Sequence, residues 1–211
     1  MGRRPKLDND SLQQQALALL DEVGSSGLSI RALAARLNTA PMTLYNYVAT
    51  REQLDVLLVD LVMDKIDLEL DGSLSWQQQL TQLTHRTWRA IWQHPHIIPL
   101  LLVRRSQSKT TLAWSETILQ ILALSGRAEQ RLLFAFRTVS ALILGMAQND
   151  LVGQLALSAG QQKADTIAHI QALDNEQFVH LKSVARHAAQ IDAQQELDAA
   201  MAIVLAGLAA S

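Results

Sequence analysis

Residues 29–51 read SIRALAARLNTAPMTLYNYVATR, and the fold is decided in this stretch. Ile30, Leu33, Ala34 and Leu37 recur at three- and four-residue steps, the spacing of one buried helix face. Ser29 offers a hydroxyl N-cap to that helix, and Asn38 tolerates the left-handed backbone that ends one. Pro41 suits the first turn of a second short helix, Pro41–Tyr47, because its missing N–H has no intrahelical partner there in any case. Leu44 and Val48 anchor that element. The charged residues are Arg31, Arg36 and Arg51, three cations without an acid, a local charge of +3. Two short helices locked by an apolar seam, with an acid-free outward face, meet the needs of a helix-turn-helix lying beside phosphates.

Outward from this stretch the apolar spacing stays helical. Leu12, Ala16, Leu19, Leu20 and Val23 mark a first helix that starts near Asp10 or Ser11 and stops at Gly24, with Ser25-Ser26-Gly27 as a loop. Thr50-Arg51-Glu52-Gln53 reads as a capping box opening a long fourth helix to about Leu70, where Asp71-Gly72-Ser73 breaks it. Ser75 to Gln78 is a second capping box. Further helices are expected near 75–93, 96–105, 108–125, 128–155, 174–190 and 193–209, while the polar stretch Ser158–Gln171 is not assigned. The triple glutamines at 13–15 and 77–79 read as solvent-facing helix surface. Alternating strand-like runs are missing, so the fold class is all-α with about nine or ten helices. The expected division is a three-helix domain over 1–52 and a larger helical domain over 53–211, with helix four, about 50–70, as connector.

Composition narrows the function. The 211 residues are 49% apolar and 18% charged, which excludes a disordered chain. The absence of cysteine removes disulfide scaffolds, Cys-ligated zinc and thiol catalysis. The net charge of −2, taken whole, argues against a nucleic-acid partner. Its distribution argues the other way. The basic arm Arg3, Arg4 and Lys6 and the acid-free segment are averaged against Asp8, Asp10, Asp21, Glu22, Asp55, Asp60 and Asp64. Paired carboxylates, a nucleophile–base set and a phosphate loop are all missing, so no enzyme and no cofactor are expected. His94-Pro95-His96 and the pair His180 and His187 lack a third ligand at matching spacing, so no metal is expected. The longest apolar runs, Ile97–Val103 and Ala199–Ala210, fall short of the roughly 20 residues that cross a membrane. The basic N-terminus has no apolar stretch behind it, and Lys6 stands where myristoylation wants Ser or Thr. The expectation is a soluble, cytoplasmic protein without a membrane partner.

Asn38-Thr39-Ala40-Pro41-Met42-Thr43-Leu44-Tyr45-Asn46-Tyr47-Val48, followed by Thr50-Arg51-Glu52-Gln53-Leu54, resembles the TetR family of bacterial one-component regulators. Glu22-Val23-Gly24 and Gly27-Leu28-Ser29 match the same pattern, and the likeness covers residues 8–70. Beyond that, layout and the Trp88-to-Pro95 stretch resemble the tetracycline-repressor-like subgroup. The resemblance implies a helix-turn-helix domain joined by a long helix to a helical-bundle effector and dimerisation domain. It makes Pro41–Tyr47 the recognition helix in the major groove. Pro41, Met42 and Thr43 then face base edges, the first two with apolar surface for thymine methyls. Tyr45 and Tyr47 bond phosphates, and Asn46 reads an adenine or stays on the backbone. Arg31 takes a position that reaches a guanine, and Arg51 takes a phosphate clamp at a helix N-terminus. Ser29, Thr39 and Ala40 complete the expected DNA surface, with Arg3 and Arg4 along the backbone or in the minor groove.

The same resemblance implies an effector pocket among helices five to eight, where Trp88, Trp92, His96, Trp114 and Phe134 fall. Each large aromatic is equally a core filler. Arg137 interrupts the apolar run Leu132–Leu144, and a charge there needs either an acidic partner such as Asp150 or a polar group of the effector. The tetracycline repressors use a histidine near the end of helix four for drug and metal, whereas the first histidine here is His85. Glu196–Ala210 and 128–155 are expected to form a twofold dimer interface. The function implied is a repressor that binds a pseudo-palindromic double-stranded operator as a homodimer and is released by a small-molecule effector. The alternatives are an activator or co-repressor-dependent regulator of the same fold, an all-α enzyme, or an architectural DNA binder.

Overall fold

The computed structural model describes residues 8–155, 159–188 and 190–210, the side chains of 149–155 and 159–163 excepted. Among the described residues there are eleven α-helices and no strand, so the chain is all-α as expected. They are α1 (Asn9–Gly27), α2 (Ile30–Arg36), α3 (Pro41–Leu44), α4 (Arg51–Met63), α5 (Trp76–Gln93), α6 (Ile98–Arg104), α7 (Lys109–Ala123), α8 (Glu129–Leu155), α9 (Ala159–Ala172), α10 (Val179–Ala188) and α11 (Ala193–Ala210), with a 3₁₀ turn at Pro95–Ile97 before α6.

Local chemistry sets most of the boundaries. Ser29 Oγ accepts the Ala32 N–H at 3.0 Å and starts α2. Thr50 Oγ1 accepts the Gln53 N–H at 3.2 Å, while Gln53 Oε1 reaches back to the Ala49 N–H at 2.8 Å, one residue beyond the box expected. At Ser75 the box is reciprocal, with Gln78 N–H to Ser75 Oγ at 3.3 Å and Ser75 N–H to Gln78 Oε1 at 3.0 Å. Asn38 adopts φ 49°, the left-handed conformation its amide side chain tolerates, and ends the α2 region.

Four boundaries differ from expectation. Gly24, at φ 69°, breaks the first helix where expected, but helical turn resumes to Gly27. α3 ends at Leu44, and the chain continues to Tyr47 in tighter turns, with Asn46 N–H to Thr43 O at 3.3 Å and Tyr47 N–H to Leu44 O at 2.8 Å. α4 ends at Met63 and not near Leu70; Arg86 on α5 takes the carbonyls of Asp67 and Glu69 at 3.0 and 2.8 Å, which keeps them out of a helical ladder. α10 starts at Val179, since Asp174 folds the preceding residues into a turn by accepting the Glu176 and Gln177 N–H groups. The unassigned 158–171 stretch carries α9.

Contacts divide the chain into two compact units, Met1–Leu132 and Leu133–Ser211. In the first, α4 is central and packs on α1, α5, α6 and α7. Its buried Leu54, Leu58, Val59 and Val62 meet a core that includes Leu20, Leu33, Leu44, Leu80, Leu83, Ile91, Ile97, Ile98 and Ile118. Each such side chain contributes about 1.5–3 kcal/mol by leaving water. In the second unit, α9 packs on α10. There α8 buries Ala135, Val139, Ile143 and Ala147 at four-residue steps, and α11 buries Leu197 and Met201. One described stretch, Glu129–Gln148 in α8, is long and apolar enough to cross a membrane by length and composition alone. Arg131 and Arg137 interrupt it, and both are exposed.

Candidate nucleic-acid interface

The helix-turn-helix is built from α2, its Asn38 turn and α3. Leu33, Ala34, Leu44 and Val48 are buried and form the seam. The Thr39 N–H donates to Ala34 O at 3.0 Å, which closes the turn between the two helices. With the seam inward, Ala40, Pro41, Met42, Tyr45 and Asn46 are exposed, and Ser29, Thr39, Thr43 and Tyr47 are partly so. Met42 leaves 74% of its surface open. A large apolar side chain held in water on a four-residue helix adds little to the core and presents apolar surface beside exposed Pro41.

The three arginines of the segment are not equivalent. Arg31 is exposed on α2 and has no ion pair among the described residues. Arg36 donates to Glu22 Oε2 at 2.6 Å and to Gln15 Oε1 at 2.8 Å, which ties α2 to α1. The Arg36 hydrogen bond, and then its charge, hold the Glu22 carboxyl below its ordinary value. Arg51, expected to be free for phosphate, pairs with Asp55 Oδ1 at 2.6 Å and donates to the Ser25 carbonyl at 2.9 Å. At the start of α4, Glu52's own backbone N–H and the Thr50 hydroxyl hold its carboxyl low as well. Arg3 and Arg4 lie outside the described residues.

The residues expected around an effector fall on both units. Trp88 is buried and Trp92 is 44% exposed, with ring centroids 5.9 Å apart on successive turns of α5. Trp114 is buried on α7, where its indole N–H donates to Thr87 Oγ1 at 2.7 Å. His96 is half-buried against α1, its Nδ1 3.2 Å from the place a Cβ at Gly24 would take. Phe134 and Arg137 are both exposed on α8, in the second unit. Arg137 reaches solvent and pairs with no acid among the described residues; the Asp150 side chain is not described.

Two polar clusters were not anticipated. His94, weighed only as a metal ligand, takes the Lys65 ammonium on Nε2 at 3.0 Å and faces Asp21 Oδ2 from Nδ1 at 2.9 Å. An ammonium only donates, so the ring proton sits on Nδ1 and the imidazole bridges α1 to the turn after α4. Asp55, 5% exposed, is shared by Arg51 and Arg104. One signal marked it: an acid among Leu54, Leu58, Val59 and Val62, on the apolar face of a helix, requires a cation.

This architecture matches known proteins along its whole length. Residues 70–211 match the tetracyclin repressor-like C-terminal domain family, and residues 2–51 match the helix-turn-helix domain of resolvase. An HTH-type transcriptional regulator of Saccharopolyspora erythraea is 29% identical over 161 residues, covering 76% of this chain and 68% of that protein. The HTH-type transcriptional repressor DrrR1 of Streptomyces coeruleorubidus is 27% identical over 156 residues, 74% of this chain and 58% of its own length. The structure of apo ActR from Streptomyces coelicolor superposes with a TM-score of 0.81 at 21% identity, over 99% of this chain and 97% of that one. ActR has also been solved in complex with actinorhodin, with a TM-score of 0.80 at 22% identity over 97% of each chain. The relatives are transcriptional regulators and not enzymes. With its helix-turn-helix ahead of a matched repressor-like C-terminal domain, the chain belongs to the tetracycline-repressor-like family and is a transcriptional regulator of the TetR type.

Proposed function

We propose that the protein is a repressor that binds a pseudo-palindromic operator as a homodimer and leaves it when a small molecule binds. The carrying observation is the outward face of α3, where Met42, Tyr45 and Asn46 stand exposed with Pro41, Ala40 and Arg31, and no acid occurs between Ser29 and Thr50. Pro41, Met42 and Thr43 read base edges, Arg31 reads a guanine, and Tyr45, Tyr47, Ser29 and Thr39 position the backbone. Arg3 and Arg4 extend the grip as a basic arm. Residues 1–52 do the reading, and 53–211 bind the effector and dimerise. The repressor named among the relatives supports the sign, and ActR's complex with actinorhodin supports a small organic effector.

Support for the dimer comes from the second unit. There Leu133, Phe134 and Ile203 are exposed, and an open groove of 760 Å³ is lined by Met146, Ile191, Ala199, Ala200 and Ile203 among others. A second copy covers such a surface by symmetry. Effector contacts are assigned within the first unit to Trp88, Trp92, His96 and Trp114, with exposed Trp92 as the reporter. Operator binding places the protein in the cytoplasm.

The test is selection of duplexes from a random pool, followed by titration of the selected duplex with candidate ligands while Trp fluorescence is recorded. A ligand that changes Trp92 emission and releases DNA from an intact dimer is the expected result. A ligand that binds free and DNA-bound protein equally overturns the linkage.

A further inference from the structure

Groups from two helices meet at Asp55, in the buried part of α4. Its Oδ1 accepts Arg51 Nε at 2.6 Å. Its Oδ2 lies 3.5 Å from both Nε and Nη2 of Arg104, the last residue of α6. Arg104 Nη2 is also 3.7 Å from Glu52 Oε1. Arg51 Nη2 in turn donates to the Ser25 carbonyl at 2.9 Å, next to the Gly24 break and just ahead of Ser29, the N-cap of α2. One buried carboxylate thus joins an unbroken line of polar contacts from α6, through the first turn of α4, to the junction of α1 and α2.

The two arms of the line are unequal. The Arg51 bond is short and charge-assisted. The Arg104 contacts are longer than a good hydrogen bond, and its buried Nε has no hydrogen-bond partner. Loss of the Arg104 arm strips a 5%-exposed carboxylate of one of its two counter-ions. That loss is felt by Arg51, and through its second bond by the backbone that places α2.

We propose that Asp55 is a positioning residue for the DNA-reading surface: it holds Arg51 as a strut beneath the α1–α2 junction, and Arg104 on α6 sets how firmly the strut is held. Arg51 is on this account a brace and not a phosphate ligand. The inference rests on the DNA-binding reading above.

The experiment uses the full-length protein and a duplex that the wild type selects from a random pool, with affinity measured by fluorescence anisotropy over a salt series. Arg104→Gln is expected to weaken binding about tenfold, with partial recovery in Arg104→Lys, and to have no further effect in an Asp55→Asn background. The slope of log affinity against log salt stays at the wild-type value in Arg104→Gln and in Arg51→Gln, because no phosphate contact is lost. A phosphate ligand lowers that slope by ~0.9. Equal or tighter binding by Arg104→Gln, independent effects of Arg104→Gln and Asp55→Asn, or a slope change of that size in Arg51→Gln each overturns the proposal. Should circular dichroism show Asp55→Asn unfolded, the Arg104 pair and the Arg51 slope decide. Failure of the wild type to enrich any sequence overturns the DNA-reading assignment, and this inference with it.

Discussion

Met42 and Leu44 are two residues apart on α3, yet one is 74% exposed and the other fully buried. That contrast separates reading from folding. Met42→Ala and Tyr45→Ala are expected to weaken operator binding about tenfold, or ~1.4 kcal/mol, with the melting temperature unchanged. Leu44→Ala removes a seam residue and is expected to cost about 2–5 kcal/mol of stability. Anisotropy titrations beside thermal melts distinguish the two classes. The Glu22–Arg36 pair makes a pH prediction. Arg36 holds the Glu22 carboxyl below its ordinary value, so the stabilisation is present above that value and is lost as pH falls through the lower, folded one. The urea midpoint of wild type minus that of Glu22→Gln should therefore be positive at neutral pH and vanish in acid. It should also shrink in high salt, since the pair is exposed. A difference that grows in acid contradicts the assignment.

At the scale of elements, caps and breakers were legible because they act within four residues. Ser29, Thr50 and Ser75 start helices, and Asn38 and Gly24 take positive φ, which an amide side chain tolerates and a missing Cβ permits. The end of α4 was not legible. Leu68 and Leu70 continue an apolar pattern, but Arg86, distant in sequence, takes the Asp67 and Glu69 carbonyls. The partners of Arg51 were hidden for the same reason: the acid-free count within 29–51 does not include Asp55 on the next turn or the Ser25 carbonyl. The buried tryptophans illustrate the limit from the other side, because helical spacing at Trp88 and Trp114 fits a core and a pocket equally well. Gly24 tests the element account directly. Ala there must hold φ 69° and brings a Cβ to 3.2 Å from His96 Nδ1, so Gly24→Ala is expected to cost about 1–2 kcal/mol, seen as a lower melting temperature. An unchanged or raised melting temperature contradicts the break at this position.

For the whole molecule, the formal charge of −2 acquires a physical meaning. With Arg36 and Arg51 tied to acids, Arg31 is left as the one arginine of 29–51 without an acid among the described residues, and on the proposed reading affinity depends on correct base contacts made twice. Two copies are therefore essential to the account. Ile203, 75% exposed on α11, is the position where a charge should separate them: Ile203→Glu is expected to elute as a monomer in size-exclusion chromatography with light scattering, and to bind operator at least tenfold more weakly. A dimeric Ile203→Glu with full affinity moves the interface elsewhere. Whether the protein reads sequence is decided by a competition titration of the selected duplex against random duplex at one fixed salt concentration. Preference for the selected duplex by a factor of about 10³ or more is expected. Equal affinity for both contradicts it.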